Sequence, residues 1–299
     1  MTLQLTLGPV LFNWPAETWR DFYFQIADES PVDTVFLGEV VCSKRAPLFD
    51  PFLEEVVTRL TDAGKDLVFS SLAEVTSNID RKLVRRVAES EGLLIEANDA
   101  SALWFLENTP HTIGPYMNVY NEISLEFFAK NGAQTICLPP EIPETGIASL
   151  GAVAVENNIE LEVQVFGRIP LALSARCYHA RAHNLTKDSC KYVCDKDVDG
   201  MVLDTLEKTP FLAINGIQTM SYTYLNLASE IEQLKLPGIT RFRVSPQSKG
   251  TITATQTFRD LLDNKIDAGE ANATLDQIGL DAPYCNGFFH QQPGYHQVS

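Results

Sequence analysis

Three kinds of feature are scarce in this chain of 299 residues, and each scarcity narrows its function. Positive charge is the first. The chain has 23 Lys and Arg against 39 Asp and Glu, a formal net charge of −16. A nucleic acid is repelled by such a field unless a basic patch is segregated from it. The one short basic cluster, Arg81, Lys82, Arg85 and Arg86, reads as a solvated helix face. Long apolar runs are the second. No stretch reaches about 18 residues, so no spanning helix is expected. The start, MTLQLTLGPVLFNW, has neither the charged region nor the small-residue cleavage site of a secretory signal. A cytoplasmic location is therefore expected, where disulfides are disfavoured. Histidine is the third, with five residues. There is no HExxH pair, no nucleophile elbow, and no glycine-rich phosphate loop where Gly8 and Pro9 follow the first strand.

Hydrophobic residues make up 45% of the chain, enough for a full-size core. They recur as short apolar runs separated by helical periods. The expected strands are Leu3–Leu7, Thr34–Val41, Asp66–Ser70, Leu93–Ile95, Tyr116–Tyr120, Thr135–Leu138, Leu161–Phe166 and Thr240–Val244. Helices fill the gaps; Asp50 and Pro51 have the composition of an N-cap and first helical position. A hairpin is expected at Met201–Leu203 and Phe211–Ile214, a helix at Tyr224–Leu234, and an irregular tail over 284–299. Eight βα units in one chain predict a single-domain (β/α)8 TIM-type barrel over 1–299, with an open doubly wound sheet as the alternative.

Cysteine is the residue that stands out. Three of the six lie in RCYHARAHNLTKDSCKYVC, as Cys177, Cys190 and Cys194, with spacing C-x12-C-x3-C after the seventh strand. Thiolates bind soft and borderline metals, whereas free cysteines are often simply buried. Barrel sites gather at the C-terminal ends of strands, so Cys42, after the second strand, is a candidate fourth ligand. Cys137 reads as core, and Cys285 lies in the tail. Structural zinc sites use paired short knuckles; one short pair plus two isolated cysteines leans toward an iron–sulfur cluster and leaves zinc open. His179 or His183 could replace one cysteine, but both read more simply as loop residues. The same positional rule brings Glu39, Asn118, Asn121 and Glu141 to the mouth as substrate-binding candidates. Each could equally be a strand-end group that orders a loop. Arg45 and Arg176 flank two of the cysteines, so they would either bind an anionic ligand or balance a charged cluster.

ELEVQVFGRIPLALSARC (Glu160–Cys177) and GAQTICLPPEI (Gly132–Ile142) resemble the signatures of the collagenase-like U-type peptidase family. Pro170 stands where the family's first cysteine stands, and Ala175 replaces its usual glycine. LGEVVCSKR (Leu37–Arg45), the SARC…C-x3-C run and the tail CNGFFHQQPG are similar to its UbiV-like subfamily. The resemblance implies a [4Fe–4S] cluster on Cys42, Cys177, Cys190 and Cys194 at the barrel mouth. It also implies a heterodimer with a UbiU-like sister subunit, a UbiT-like lipid carrier, and oxygen-independent hydroxylation of prenylated ubiquinone precursors with prephenate as hydroxyl donor. A non-catalytic structural or electron-transfer partner of the sister subunit is the alternative. Peptidase activity has no matching constellation among the residues.

Overall fold

A computed structural model describes residues 3–107 and 109–298, so Met1, Thr2 and Ser299 of the expected domain and tail lie outside it. The chain begins β1 (Gln4–Leu7), α1 (Ala16–Glu29), β2 (Thr34–Leu37), α2 (Ala46–Asp62), β3 (Asp66–Ser70) and α3 (Asn78–Ala88). It continues β4 (Leu94–Ala97), α4 (Ala100–Phe105), β5 (His111–Ile113), α5 (Glu122–Lys130), β6 (Ala133–Cys137), α6 (Glu144–Glu156) and β7 (Glu160–Leu173). After α7 (Tyr178–Ala182) come β8 (Met201–Asp204), β9 (Pro210–Asn215), β10 (Gln218–Asn226) and α8 (Ile231–Leu234). The chain ends with β11 (Ile239–Val244), α9 (Thr251–Leu262), α10 (Ala268–Asp276) and β12 (Tyr284–Cys285).

β1 to β7 pair in sequence order, all parallel, and β11 pairs with both β7 and β1. That closes an eight-stranded parallel barrel and removes the open-sheet alternative, because no edge is left between β7 and β1. Helix starts are set by side-chain caps: Ser77 and Asp80 form a capping box, as do Asp267 and Glu270, while Asp99 and Asn121 each accept a backbone N–H.

Four expectations need correction. The second strand stops at Leu37, short of Val41, where Gly38 turns the chain with a φ of +118°. The fifth strand is His111–Ile113, not Tyr116–Tyr120; Gly114 and Pro115 end it, and a 3-10 turn follows at Pro115–Met117. α2 starts at Ala46, so Asp50 and Pro51 lie inside it. Pro51 forfeits one helical hydrogen bond. The turn survives because Ala46 and Phe49 are buried, and Phe49 stacks on Trp19 at 5.2 Å. Tyr224–Leu234 begins as strand rather than helix. Its partner is the stretch of β7 beyond Phe166, the later part of the apolar, strand-like run Leu161–Leu173: Asn226 pairs with Phe166 and Gln218 with Leu173. Gly167 lets β7 turn out of the barrel there; its φ is +106°, and a Cβ would lie 2.7 Å from the Ser245 carbonyl oxygen. β10, β9 and β8 extend this projection as an antiparallel layer, with the expected hairpin at its end.

The tail is folded back on the barrel. Phe289 is buried, and its carbonyl accepts from the Glu144 N–H at the start of α6 (3.1 Å). Asn286 donates to Glu230 (2.7 Å), and β12 pairs with β10. Burying a phenyl ring of this size stabilises the fold by about 2–3 kcal/mol. The tail's aromatic character is thus met within the chain. Among the described residues no helix is long and apolar enough to cross a membrane.

Inside the barrel lies a charged group that the sequence reading missed. Arg243 of β11 donates to Glu96 of β4 (2.7 Å) and to Glu162 of β7, and its guanidinium stacks 4.0 Å over the Phe36 ring. Ser70 and Asn98 donate to Glu96, and Thr6 donates to Glu162. All are buried. The signal was present, since Glu162 and Arg243 interrupt otherwise apolar strands.

Candidate metal centre

Cys42, Cys177, Cys190 and Cys194 line one small cavity above the barrel, although they come from three separate segments. Each segment has a local reason for its course. After β2 the Glu39 carboxylate accepts the N–H groups of Val41 and Cys42, both at 2.8 Å, and so curls Cys42 inward. Cys177 is the N-cap of α7, its sulphur accepting the Ala180 N–H at 3.4 Å. Between Cys190 and Cys194 the chain passes through two successive left-handed residues, Lys191 and Tyr192, with φ of +50° and +55°. Non-glycine residues are held so only at a cost of about 1–3 kcal/mol each. The reversal brings both flanking cysteines to the same cavity. All four are half-buried. Burial pushes the thiols of Cys42 and Cys177 upward, against the Arg45 guanidinium at the first and the Ala180 amide at the second.

Two cations support the cavity. Lys44 donates to the carbonyls of Lys187 (2.9 Å) and Asp188 (3.0 Å) and reaches the Cys190 sulphur at 3.4 Å. It therefore ties the Cys42 loop to the Cys190 loop. Arg45 is 1% exposed and donates to the Leu11 carbonyl (2.8 Å) and to Asn215 (2.9 Å). Burial alone would lower its pKa; Glu39 and the thiols of Cys194 and Cys42 reverse that, and the net direction is upward. Gly216 sits against it, where a Cβ would lie 2.7 Å from Nη2. Arg176, in contrast, is exposed and has no part in the cavity.

The other mouth candidates separate into two groups. Glu39 faces the Cys42 loop, where burial raises its carboxyl against the opposing pull of Arg45, and it does not line the mouth cleft. Asn121 is used as the α5 cap. A further cation after the barrel part of β7, Arg168, is buried beneath Tyr224 at 4.3 Å and bonded to the carbonyls of Ser221 and Tyr222. Asn118 and Glu141 do line a cleft of about 420 Å³ at the mouth, together with Tyr116, Tyr120, four prolines and Glu74. Tyr120 donates to Glu141. One carboxylate oxygen of Glu141 and one of Glu74 are buried without a hydrogen-bond partner. Lys187 stands 3.8 Å from Glu74 and is also a wall of the cysteine cavity, so the two spaces adjoin. Glu74, Lys187 and Tyr120 escaped the sequence reading because they lie in loops without periodicity. Cys137 is core, as expected, and Cys285 is buried, accepting from Thr223 at 3.0 Å.

The model of peptidase family U32 matches residues 19–299. Two solved structures from Coccidioides immitis are similar at low identity. A protein assigned as a fructose-1,6-biphosphate aldolase is 10% identical, with 92% of this chain and 88% of that chain covered and a TM-score of 0.40. A dihydrodipicolinate synthase family protein is 7% identical, with 93% and 78% covered and a TM-score of 0.37. The barrel assignment rests on the strand pairing.

Proposed function

The chain belongs to peptidase family U32, and we propose that within it this protein is an iron–sulfur subunit. In this reading Cys42, Cys177, Cys190 and Cys194 hold a [4Fe–4S] cluster at the barrel mouth. The observation that carries it is the convergence of all four thiols on one cavity from three segments. A second observation favours a cluster over zinc. Among the described residues, the one group of three His, Cys, Asp or Glu ligand atoms within 4.8 Å of one another contains no cysteine. Four thiolates on one tetrahedral zinc, at about 2.3 Å, would stand about 3.8 Å apart. A cubane gives each thiolate its own iron, which suits a wider set. Such a cluster, when bound, supplies one-electron transfer. The chain's own residues then do the rest: Glu39 shapes the Cys42 loop, Lys44 clamps the Cys190 loop, and Arg45 offsets thiolate charge.

The activity we assign is that of the cluster-bearing half of a heterodimeric, oxygen-independent hydroxylase of ubiquinone precursors. A UbiU-like sister subunit and a UbiT-like lipid carrier complete it, and prephenate is the hydroxyl donor. The cleft beside the cysteines, walled by prolines and tyrosines, suits an aromatic ring, and the unbonded oxygen of Glu141 suits a hydroxyl group on it. A dicarboxylate donor needs cations, ideally paired guanidinium groups. The cation beside this cleft, Lys187, already faces Glu74, and Arg45 is buried behind the cysteines. That favours the second reading for the donor step, in which the sister subunit binds it and this chain transfers electrons.

Purification without air, followed by absorption spectra and iron and sulfide analysis, tests the proposal. The expected protein is brown, with iron and acid-labile sulfide in equal amounts. Each of Cys42→Ala, Cys177→Ala, Cys190→Ala and Cys194→Ala lowers iron content, whereas Cys137→Ala retains it. A colourless protein with stoichiometric zinc on sulphur would sink the cluster reading.

A further inference from the structure

Against the cysteine cavity, of which His179 is one wall, lies a second set of metal-ligating side chains with no thiol in it. His179, the second residue of α7, and His183, its C-cap, are four residues apart, so their rings project from one side of the turn. The rings are stacked, 5.9 Å between centroids and 13° between planes. A ring nitrogen of each and a carboxylate oxygen of Asp197 all lie within 4.8 Å of one another. We infer that His179, His183 and Asp197 bind one zinc-class divalent ion, separate from the metal of the cysteines.

The geometry supports this in three ways. Nε2 of His179 and Oδ2 of Asp197 are 2.8 Å apart. Two ligands at about 2.0–2.1 Å from one tetrahedral ion stand roughly 3.3 Å apart, so an ion replaces the shared proton with movements of a few tenths of an ångström. His183 has its Nε2 buried with no hydrogen-bond partner, beside a His179 side chain that is only 1% exposed. A buried imidazole nitrogen without a partner is unusual unless it holds something. Finally, the donor set is two imidazoles and one carboxylate. That is the ligand class of zinc and its neighbours with one position left for solvent, and it lacks the sulphur that copper(I) and iron–sulfur clusters take.

The position gives the ion a task. Residues 177–183 carry Cys177, His179 and His183; residues 190–197 carry Cys190, Cys194 and Asp197. An ion shared by the histidines and Asp197 bolts these two segments together, and they hold three of the four cysteines. The second segment contains the two left-handed residues, Lys191 and Tyr192, whose conformation needs an external constraint. Metal binding couples to local folding in this way when the ligands come from different segments. None of its ligands is a thiol, so zinc bound here and iron bound by the cysteines are read separately.

The test uses the full-length protein purified without air. It is equilibrated with one equivalent of zinc sulfate, passed through a desalting column, and examined by metal analysis and zinc K-edge X-ray absorption. The expected result is one zinc per chain with nitrogen and oxygen scatterers only. His183→Ala and Asp197→Asn, both at partly exposed positions, are expected to bind zinc at least about 100-fold more weakly while iron content is retained. Sulphur scatterers around the zinc would overturn the inference, since the ion would then be in the cysteine cavity. No zinc after desalting, or unchanged affinity in both variants, would overturn it as well. Zinc on nitrogen and oxygen in a protein without iron would uphold this site and remove the cluster reading instead.

Discussion

Replacing Arg45 by methionine probes the hinge between fold and site. The guanidinium is 1% exposed, donates to the Leu11 carbonyl and to Asn215, and faces the buried carboxylate of Glu39. Methionine keeps most of the volume and deletes the charge and both hydrogen bonds. Deleting two buried hydrogen bonds from a charged donor costs about 1.5–3 kcal/mol each, about 3–5 kcal/mol together. The unfolding entropy of a chain of 299 residues is about 0.6 kcal/mol per kelvin, so the melting temperature should fall by about 5–8 °C. Arg45→Lys keeps the charge and one hydrogen bond, and its loss should be about 1–2 kcal/mol. Thermal unfolding followed by near-ultraviolet circular dichroism measures both, on iron-loaded and on metal-free protein. The loss is expected in both forms, with faster release of iron from Arg45→Met than from Arg45→Lys. A shift below about 2 °C for metal-free Arg45→Met would refute the reasoning, since the guanidinium would then not be a structural cation of the cold fold.

Three further outcomes are expected. Arg243→Met strands Glu96 and Glu162 inside the barrel and should cost about 3–5 kcal/mol in urea unfolding; Glu96→Gln and Glu162→Gln added together should restore part of it, and a single variant within 1 kcal/mol of the parent would contradict the ion-pair account. His111 is buried, donates through Nδ1 to the Thr109 carbonyl, and has its pKa lowered by burial. The unfolded chain therefore takes up a proton first as pH falls through about 6.5, and the native state loses stability as pH falls further toward the lowered pKa of the folded state. His111→Gln should flatten that slope, and an unchanged slope would place the titration elsewhere. Gly216→Ala presses a methyl group on the Arg45 guanidinium and forces a left-handed φ, so it should lower cluster content as Arg45→Lys does or more; normal iron content would mean that Arg45 can shift freely.

How legible was this protein in its sequence? Where a strand has apolar residues on both faces, as in Val35–Leu37 or Leu161–Phe166, the pattern located its start to within a residue. It failed where the partner was distant. Tyr224–Asn226 is strand because the projecting end of β7 pairs with it, and the two stretches are separated by the whole cysteine region. The proline inside α2 is tolerated because Phe49 packs on Trp19, a contact between helices that no local window contains. Conversely, the short β5 was misplaced because Tyr116–Tyr120 has the composition of a strand and His111–Ile113 hardly more than its two neighbours to pair with.

The sequence by itself determined the alternation of strands and helices, the number of barrel strands, the acidic character, and the identity of the four cysteines. These follow from periodicity and residue chemistry, which are local or additive. Only the tertiary structure decided which side chains face each other. It turned Glu39 from the mouth to the Cys42 loop, sank Arg45 behind the cavity and left Arg176 outside it. It also paired His179 with Asp197, and it gathered Glu96, Glu162 and Arg243 from three strands into one buried group. Closure of the barrel is the physical reason. It fixes the register of each strand against its neighbours, and register alone determines which charges meet in the interior and which loops meet above it.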